Sequence, residues 1–134
     1  MKITSKGRYA VRIMAELAKN SNDYMSVVEI AEKQNITPKY LEKIISMLTK
    51  AKLITSTRGA TGGYKLLKSP KEYTIAEILK VTGDLPNIAP CLIDEKSCPN
   101  YSHCDSIGCW EKLNKLIYDY LAKITLEDLL NKNY

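Results

Sequence analysis

Cysteine is missing from all of this 134-residue chain except one stretch, PCLIDEKSCPNYSHCDSIGCW, which holds Cys91, Cys98, Cys104 and Cys109. Thiols clustered in this way argue for metal ligands or a redox sensor rather than a structural disulfide framework, because a reducing compartment keeps ordinary thiols free. Long apolar runs are missing too. The start, MKITSKGRYAVRIM, has no apolar core of signal-peptide length, and no later run approaches the ~18 residues of a membrane span. A cytoplasmic protein with no membrane partner is expected. Histidine occurs once, and no recognisable nucleophile, base or nucleotide motif accompanies it, so nothing supports an enzyme. Acidic residues are scarce early on: residues 1–72 carry 14 Lys+Arg against 6 Asp+Glu, net +8, whereas 73–134 carry 6 against 9, net −3. The positive part fits an anionic partner, nucleic acid foremost, since each neutralised phosphate releases condensed counterions. A lysine-rich solvated surface gives the same count. The length allows one small domain plus an appendage.

The pattern along the chain is helical first. From Thr4 to about Lys19 the residues Tyr9, Ala10, Ile13, Met14, Leu17 and Ala18 recur at helical spacing, with Thr4 or Ser5 as N-cap. Lys2, Lys6, Arg8 and Arg12 lie near its start, where phosphate would meet free backbone N–H groups. Ser26 and Glu29 form a capping box for a short helix to about Gln34. Asn35-Ile36 breaks it, and Thr37-Pro38 opens a third helix whose buried stripe is Leu41, Ile44, Ile45 and Leu48. Lys39, Tyr40, Glu42 and Lys43 lie off that stripe. This layout is that of a helix-turn-helix, although a helical hairpin of a small bundle produces the same pattern.

The period then switches to alternation. Leu53 to Thr57 reads as a strand, Arg58 to Gly63 as a turn and Tyr64 to Leu67 as the returning strand, a wing placed directly after the recognition helix. Arg58 at its tip suits a minor groove, where narrow A·T tracts concentrate negative potential. The glycine-rich turn lacks the Gly-Lys-Ser/Thr ending of a phosphate-binding loop. Thr74 and Glu77 cap a further helix that Gly83 ends, and Pro86, Pro90 and Pro99 with the cysteines define an aperiodic segment. Trp110, Leu113, Ile117, Tyr120 and Ile124 recur at steps of three and four, the spacing of a dimer seam or of a helix packed on its own domain. Thr125 and Asp128 cap a last turn bearing Leu126, Leu129 and Leu130.

Together, MKITSKGRYAVRIM, ITPKYLEKIISMLTKAKLI, RGATGGYKL, TIAEIL, the cysteine segment and ITLEDLL resemble, in order and over nearly the whole chain, the Rrf-two family of winged helix-turn-helix transcription regulators, IscR-like and NsrR-like members included. The resemblance implies a mainly α fold with a small β-hairpin wing. It divides the chain into a winged helix-turn-helix domain (1–83), a sensor loop (84–109) and a long dimerisation helix with a C-terminal turn (110–134). It further implies a homodimer on a palindromic double-stranded DNA operator. Carried over by position, contacts come from Lys6, Thr37, Lys39, Tyr40, Glu42 and Lys43, with Arg58, Gly59, Thr61, Gly62 and Gly63 in the wing. Glu42 matches a family glutamate tied to operator choice, since a carboxylate accepts from cytosine N4.

Members with three loop cysteines bind an iron-sulfur cluster, so Cys91, Cys98 and Cys104 are expected to ligate one, a two-iron two-sulfur form preferred over four-iron four-sulfur. One residue is inserted in the first gap relative to the family spacing. The fourth family ligand does not carry over: Ile107 stands where IscR-like members have histidine, and Arg8 where NsrR-like members have aspartate. Cys109 is the local candidate, with His103 as its alternative. A thiol-disulfide switch or a structural zinc on the same cysteines is the competing expectation, although the gaps of six, five and four residues give no two tight zinc pairs.

Overall fold

In the computed structural model, which describes residues 2–134, the helices are α1 (Ser5–Lys19), α2 (Val27–Gln34), α3 (Pro38–Lys50), α4 (Ile75–Thr82), α5 (Ile107–Lys123) and α6 (Leu126–Asn131). Strands β1 (Ile54–Thr57) and β2 (Gly63–Leu66) stand between α3 and α4. The helix starts follow side-chain chemistry. The Thr4 hydroxyl accepts from the Gly7 N–H, and Ser26, Thr37, Thr74 and Thr125 do the same for α2, α3, α4 and α6. Each satisfies a backbone donor that the first helical turn leaves orphaned. Asn35, in the left-handed region at φ 52°, turns the chain sharply from α2 towards α3.

The hairpin pairs Ile54 with Leu66, Thr55 with Lys65, Ser56 with Tyr64 and Thr57 with Gly63. Both strands are one residue out from the sequence expectation: Leu53 stays outside β1, and Gly63 joins β2 in place of Leu67. Gly63 is recruited because the α1–α2 connection pairs with this strand. The Met25 N–H donates to the Tyr64 carbonyl at 2.9 Å and the Tyr64 N–H to the Met25 carbonyl at 2.8 Å. A β-carbon on Gly63, whose φ is 152°, would overlap the Met25 backbone.

The core is built from the α1 stripe, Ile30 and Ala31 of α2, the α3 stripe, Ile54 and Leu66 of the hairpin, and Ile75, Ile78 and Leu79 of α4. α6 folds back onto α1 and inserts Leu126, fully buried, into this core. An antiparallel bridge between Thr74 and Thr125 fixes that return. The C-terminal turn is thus part of the core of the reading unit.

Between α4 and α5 the expected aperiodic segment contains three single turns of 3₁₀ helix, Pro90–Leu92, Glu95–Ser97 and Tyr101–His103. Each is closed by its own short-range backbone bonds, such as Ile93 N–H to the Pro90 carbonyl at 3.0 Å and His103 N–H to the Asn100 carbonyl at 3.0 Å. α5 begins at Ile107, three residues ahead of the expected Trp110, so Cys109 lies in its first turn.

Candidate functional site

Capping by Thr37 and Pro38 aims the N-terminal end of α3 outwards, and Thr37, Lys39, Glu42 and Lys43 are all exposed there. Tyr40 is different. Its ring is half-buried and meets Tyr9 edge-on at 5.7 Å, while the Arg12 guanidinium lies over the Tyr9 ring at 5.2 Å. Arg12 also donates to the Gln34 side-chain oxygen at 2.9 Å and to the Gln34 carbonyl. Arg12 thus spends donors on the C-terminal end of α2, where orphan carbonyls attract a cation. Arg8 likewise donates to the Ile3 carbonyl and the Ser5 hydroxyl. The Arg12–Tyr9–Tyr40 stack fixes α3 against α1.

At the wing tip Arg58, Gly59 and Thr61 are exposed, and Gly59 holds φ 106°, a conformation that favours glycine. Gly62 and Gly63, expected among the DNA contacts, are half-buried and used internally. A β-carbon on Gly62 would stand 2.6 Å from the Thr57 carbonyl oxygen, so its bareness lets the turn close. The foot of the wing rests on Tyr73, which sequence reasoning passed over. Its hydroxyl donates to the Leu53 carbonyl at 2.7 Å and accepts from the N–H groups of Leu67 and Lys68. Burial pushes the Tyr73 phenol up, opposed by those two N–H donors.

A second overlooked group is Asp84, next after the Gly83 helix end. It is buried, and its carboxylate accepts from the Thr4 N–H, the Thr4 hydroxyl and the Thr82 hydroxyl. Burial works against its charge, but hydrogen bonds from Thr82 and Thr4, with Lys6 nearby, outweigh it and hold the carboxyl below its ordinary value. Gly7 was the available signal. A glycine inside a strongly periodic helix marks a close approach, here that of Asp84.

Cys91, Cys98 and Cys104 are half-buried and Cys109 is exposed on α5, all four as free thiols. His103 is exposed. Among the described residues no three His, Cys, Asp or Glu side chains stand together as a metal-holding group, so the expected ligand set is not gathered. The thiols fall on different parts of the segment: Cys91 in the first single turn, Cys98 and Cys104 directly after the second and third, and Cys109 in α5. Cys109 faces solvent from the first turn of α5. Cys104 sits just ahead of α5. The Ser106 hydroxyl, 3.3 Å away, and then the Ser106 and Ile107 amides hold its thiol below the ordinary value, favouring the thiolate. The segment is tied to α5 by the Ile88 N–H, which donates to the Asn114 side chain at 3.2 Å.

Along α5, Trp110, Leu113 and Tyr120 are 40%, 42% and 53% exposed, and Leu116, absent from the expected seam, is 66% exposed and widens this apolar strip. Ile117 is half-buried at its edge. Ile124 departs from the expected seam. It packs on the core, and its carbonyl accepts from the Ile75 N–H at 2.9 Å, because the α5–α6 turn must dock before Leu126 can be buried.

Residues 3–132 match the family described as "Rrf2: Iron-dependent Transcriptional regulator". The chain belongs to the Rrf2 family. Among its relatives, the HTH-type transcriptional regulator IscR of Photorhabdus laumondii is 35% identical over 98% of this chain and 80% of its own length. Protein rrf2 of Nitratidesulfovibrio vulgaris is 33% identical over 97% of this chain and 87% of its own. In three dimensions this Rrf2 chain is similar to CymR, the global cysteine regulator of B. subtilis, with a TM-score of 0.82 and 32% identity over 98% of both chains. It is also similar to IscR of T. potens, with a TM-score of 0.76 and 32% identity over 100% of this chain and 89% of the other. The chain is a DNA-binding transcription regulator of the Rrf2 type with a winged helix-turn-helix reader, and its relatives are named as regulators, not enzymes. Among the described residues no helix is long and apolar enough to cross a membrane.

Proposed function

We propose that this Rrf2 regulator works in the cytoplasm as a homodimer on a palindromic operator, with segment 84–109 as its sensor and an iron-sulfur cluster as the group sensed. The α3 end that carries Lys39, Glu42 and Lys43 enters the major groove, with Thr37 and Lys6 set against phosphate. Arg58, Gly59 and Thr61 enter the minor groove. The apolar strip of Trp110, Leu113, Leu116, Ile117 and Tyr120 is covered by the partner's α5, which spaces two readers for two half-sites. The observation that carries the reading is where the cysteines stand. They occupy one segment, which is rooted on α1 through Asp84 and runs into α5.

Thiolates suit iron-sulfur clusters, and the Ser106 hydroxyl with the neighbouring amides shifts the Cys104 thiol in that direction. Cys91, Cys98 and Cys104 would hold the cluster, with Cys109 or His103 completing the set. Since no three of these side chains stand together, the segment would rearrange for the set to close around a cluster. A bound cluster supplies a redox-active cross-link between turns that otherwise hold only themselves.

A second reading rests on the same spread. Ungathered thiols, one of them held below its ordinary value, also describe a thiol-disulfide switch without a cluster. The test is iron and sulfide content with absorption and electron-paramagnetic spectra of anaerobically reconstituted protein, repeated for Cys109→Ala and His103→Ala. The expected result is cluster absorption that one of the two variants loses. Absence of iron and sulfide from the wild type refutes the cluster and leaves the thiol switch.

A further inference from the structure

Asp84 belongs to the cysteine-bearing segment by sequence and to the reader by packing. It follows the left-handed Gly83 that ends α4, and it is only 6% exposed. One carboxylate oxygen accepts from the Thr4 N–H at 2.9 Å, and the other accepts from the Thr4 hydroxyl at 2.9 Å and the Thr82 hydroxyl at 2.6 Å. The Thr4 hydroxyl in turn accepts from the Gly7 N–H at 3.1 Å. A continuous chain of bonds thus runs from the end of α4, through the root of the segment, to the first turn of α1. On the α1 side the fit leaves no slack, since a β-carbon on Gly7 would overlap the Asp84 carboxylate. That turn carries Lys6, and α1 then carries Tyr9, whose ring supports Tyr40 of the recognition helix.

We infer that Asp84 is the positioning residue through which the cysteine segment acts on the DNA reader. The Asp84 carboxylate has three donors that must all be in place together. A segment pulled taut by joining its thiols draws on residue 84, releases the Thr4 cap and frees the α1 turn, which changes how α1 supports α3. Two packed arrangements of one contact are enough to give coupling. The inference rests on the reading of segment 84–109 as a sensor.

The experiment compares protein with free thiols, kept reduced and anaerobic, to protein whose segment thiols have been joined in pairs by alkylation with the bifunctional reagent dibromobimane. Hydrogen exchange at the amides of residues 5–9 and affinity for the operator are both measured. In the wild type, alkylation is expected to speed exchange at these amides and to change affinity by about fivefold or more, the lower end of ordinary coupling. In Asp84→Ala and in Gly7→Ala, which break the contact from opposite sides, exchange should be fast in both states and the affinity ratio should fall below about twofold. Asp84→Asn, which keeps the shape but loses acceptor strength, should fall between and remain folded by circular dichroism. Exchange at residues 5–9 that ignores alkylation in the wild type overturns the inference. So does an affinity ratio that survives undiminished in both contact variants, while leaving the sensing role standing. An exchange response with no change in operator affinity supports the Asp84 link and refutes the sensing role.

Discussion

Replacing Tyr73 with Phe removes one oxygen from a ring that is 1% exposed. That oxygen closes three hydrogen bonds, at 2.7 Å to the Leu53 carbonyl and at 3.0 and 2.9 Å from the Leu67 and Lys68 N–H groups. Leu53 immediately precedes β1, and Leu67 and Lys68 immediately follow β2. The hydroxyl therefore ties both legs of the wing to the entry of α4. A neutral hydrogen bond contributes ~1 kcal/mol net, but a buried group left unpaired costs ~1–3 kcal/mol. Leu67 and Lys68 are exposed enough for water to serve their N–H groups, so the full penalty falls on the Leu53 carbonyl. The expected loss is about 1–3 kcal/mol, read by urea unfolding with an unchanged slope. On operator DNA the variant should lose affinity even where it is fully folded, and Tyr73→Phe combined with Arg58→Ala should lose less than the sum of the two, because a loose wing no longer aims Arg58. A stability loss below about 0.5 kcal/mol, or strict additivity on DNA, would refute the wing-anchor argument.

Arg58→Ala should weaken operator binding and relax the preference for A·T under the wing, whereas Lys6→Ala should weaken specific and random DNA alike and flatten the salt slope; titrations at several salt concentrations separate them. Gly63→Ala places a β-carbon against the Met25 backbone at a φ that favours glycine, so a thermal melt should show a clear drop, whereas Ala60→Gly at the exposed tip should cost little. Asp84 and Asp128 are both held below the ordinary carboxyl value, Asp84 by Thr82 and Thr4 bonds that exceed its burial cost and Asp128 by the Thr125 backbone and hydroxyl. A depressed folded pKa means that the stabilisation is complete above the ordinary value of about 4 and is lost as pH falls through the lower, folded value. Melting temperature should therefore fall between about pH 5 and pH 2, with a shallower fall in Asp84→Asn that starts from a lower plateau. Glutamate at Leu113 and Leu116 together should leave the fold intact and yield monomers in sedimentation, with operator affinity falling as dimers are lost.

Much of the reader was legible in the sequence because its signals are local. Thr4, Ser26, Thr37, Thr74 and Thr125 each announce a helix start through a hydroxyl and a donor a few residues away, and the cap bonds match those positions. The alternation after Lys52 gave the wing within one residue at each strand. What escaped depends on pairs far apart in the chain. Nothing near Tyr73 says that its hydroxyl meets Leu53, and nothing near Asp84 names Thr4, 80 positions earlier. The pairing of Arg12 escaped for the same reason. The arginine's charge was visible, but Gln34, which takes its donors, belongs to another helix. Leu116 was missed because steps of three and four admit one track through an apolar face and pass over its neighbour.

The cysteine segment shows a different limit, and its physical make-up argues that it is the part of the fold most easily rearranged. None of its four thiols is fully buried, and its turns are held by bonds spanning three or four residues, so opening them disturbs little of the core. Its N-terminal end is fixed twice, by Asp84 on Thr4 and by the Ile88 bond to Asn114 of α5, and its C-terminal end runs into the first turn of α5. The Asn87 side-chain oxygen between those two points has no hydrogen-bond partner within the chain. A segment with weak internal bonds and anchored ends transmits a change in its middle to its ends rather than absorbing it. Those ends are the α1 turn that supports the recognition helix and the helix that carries the exposed apolar strip. Anything that joins the thiols therefore acts on reading and on pairing at once.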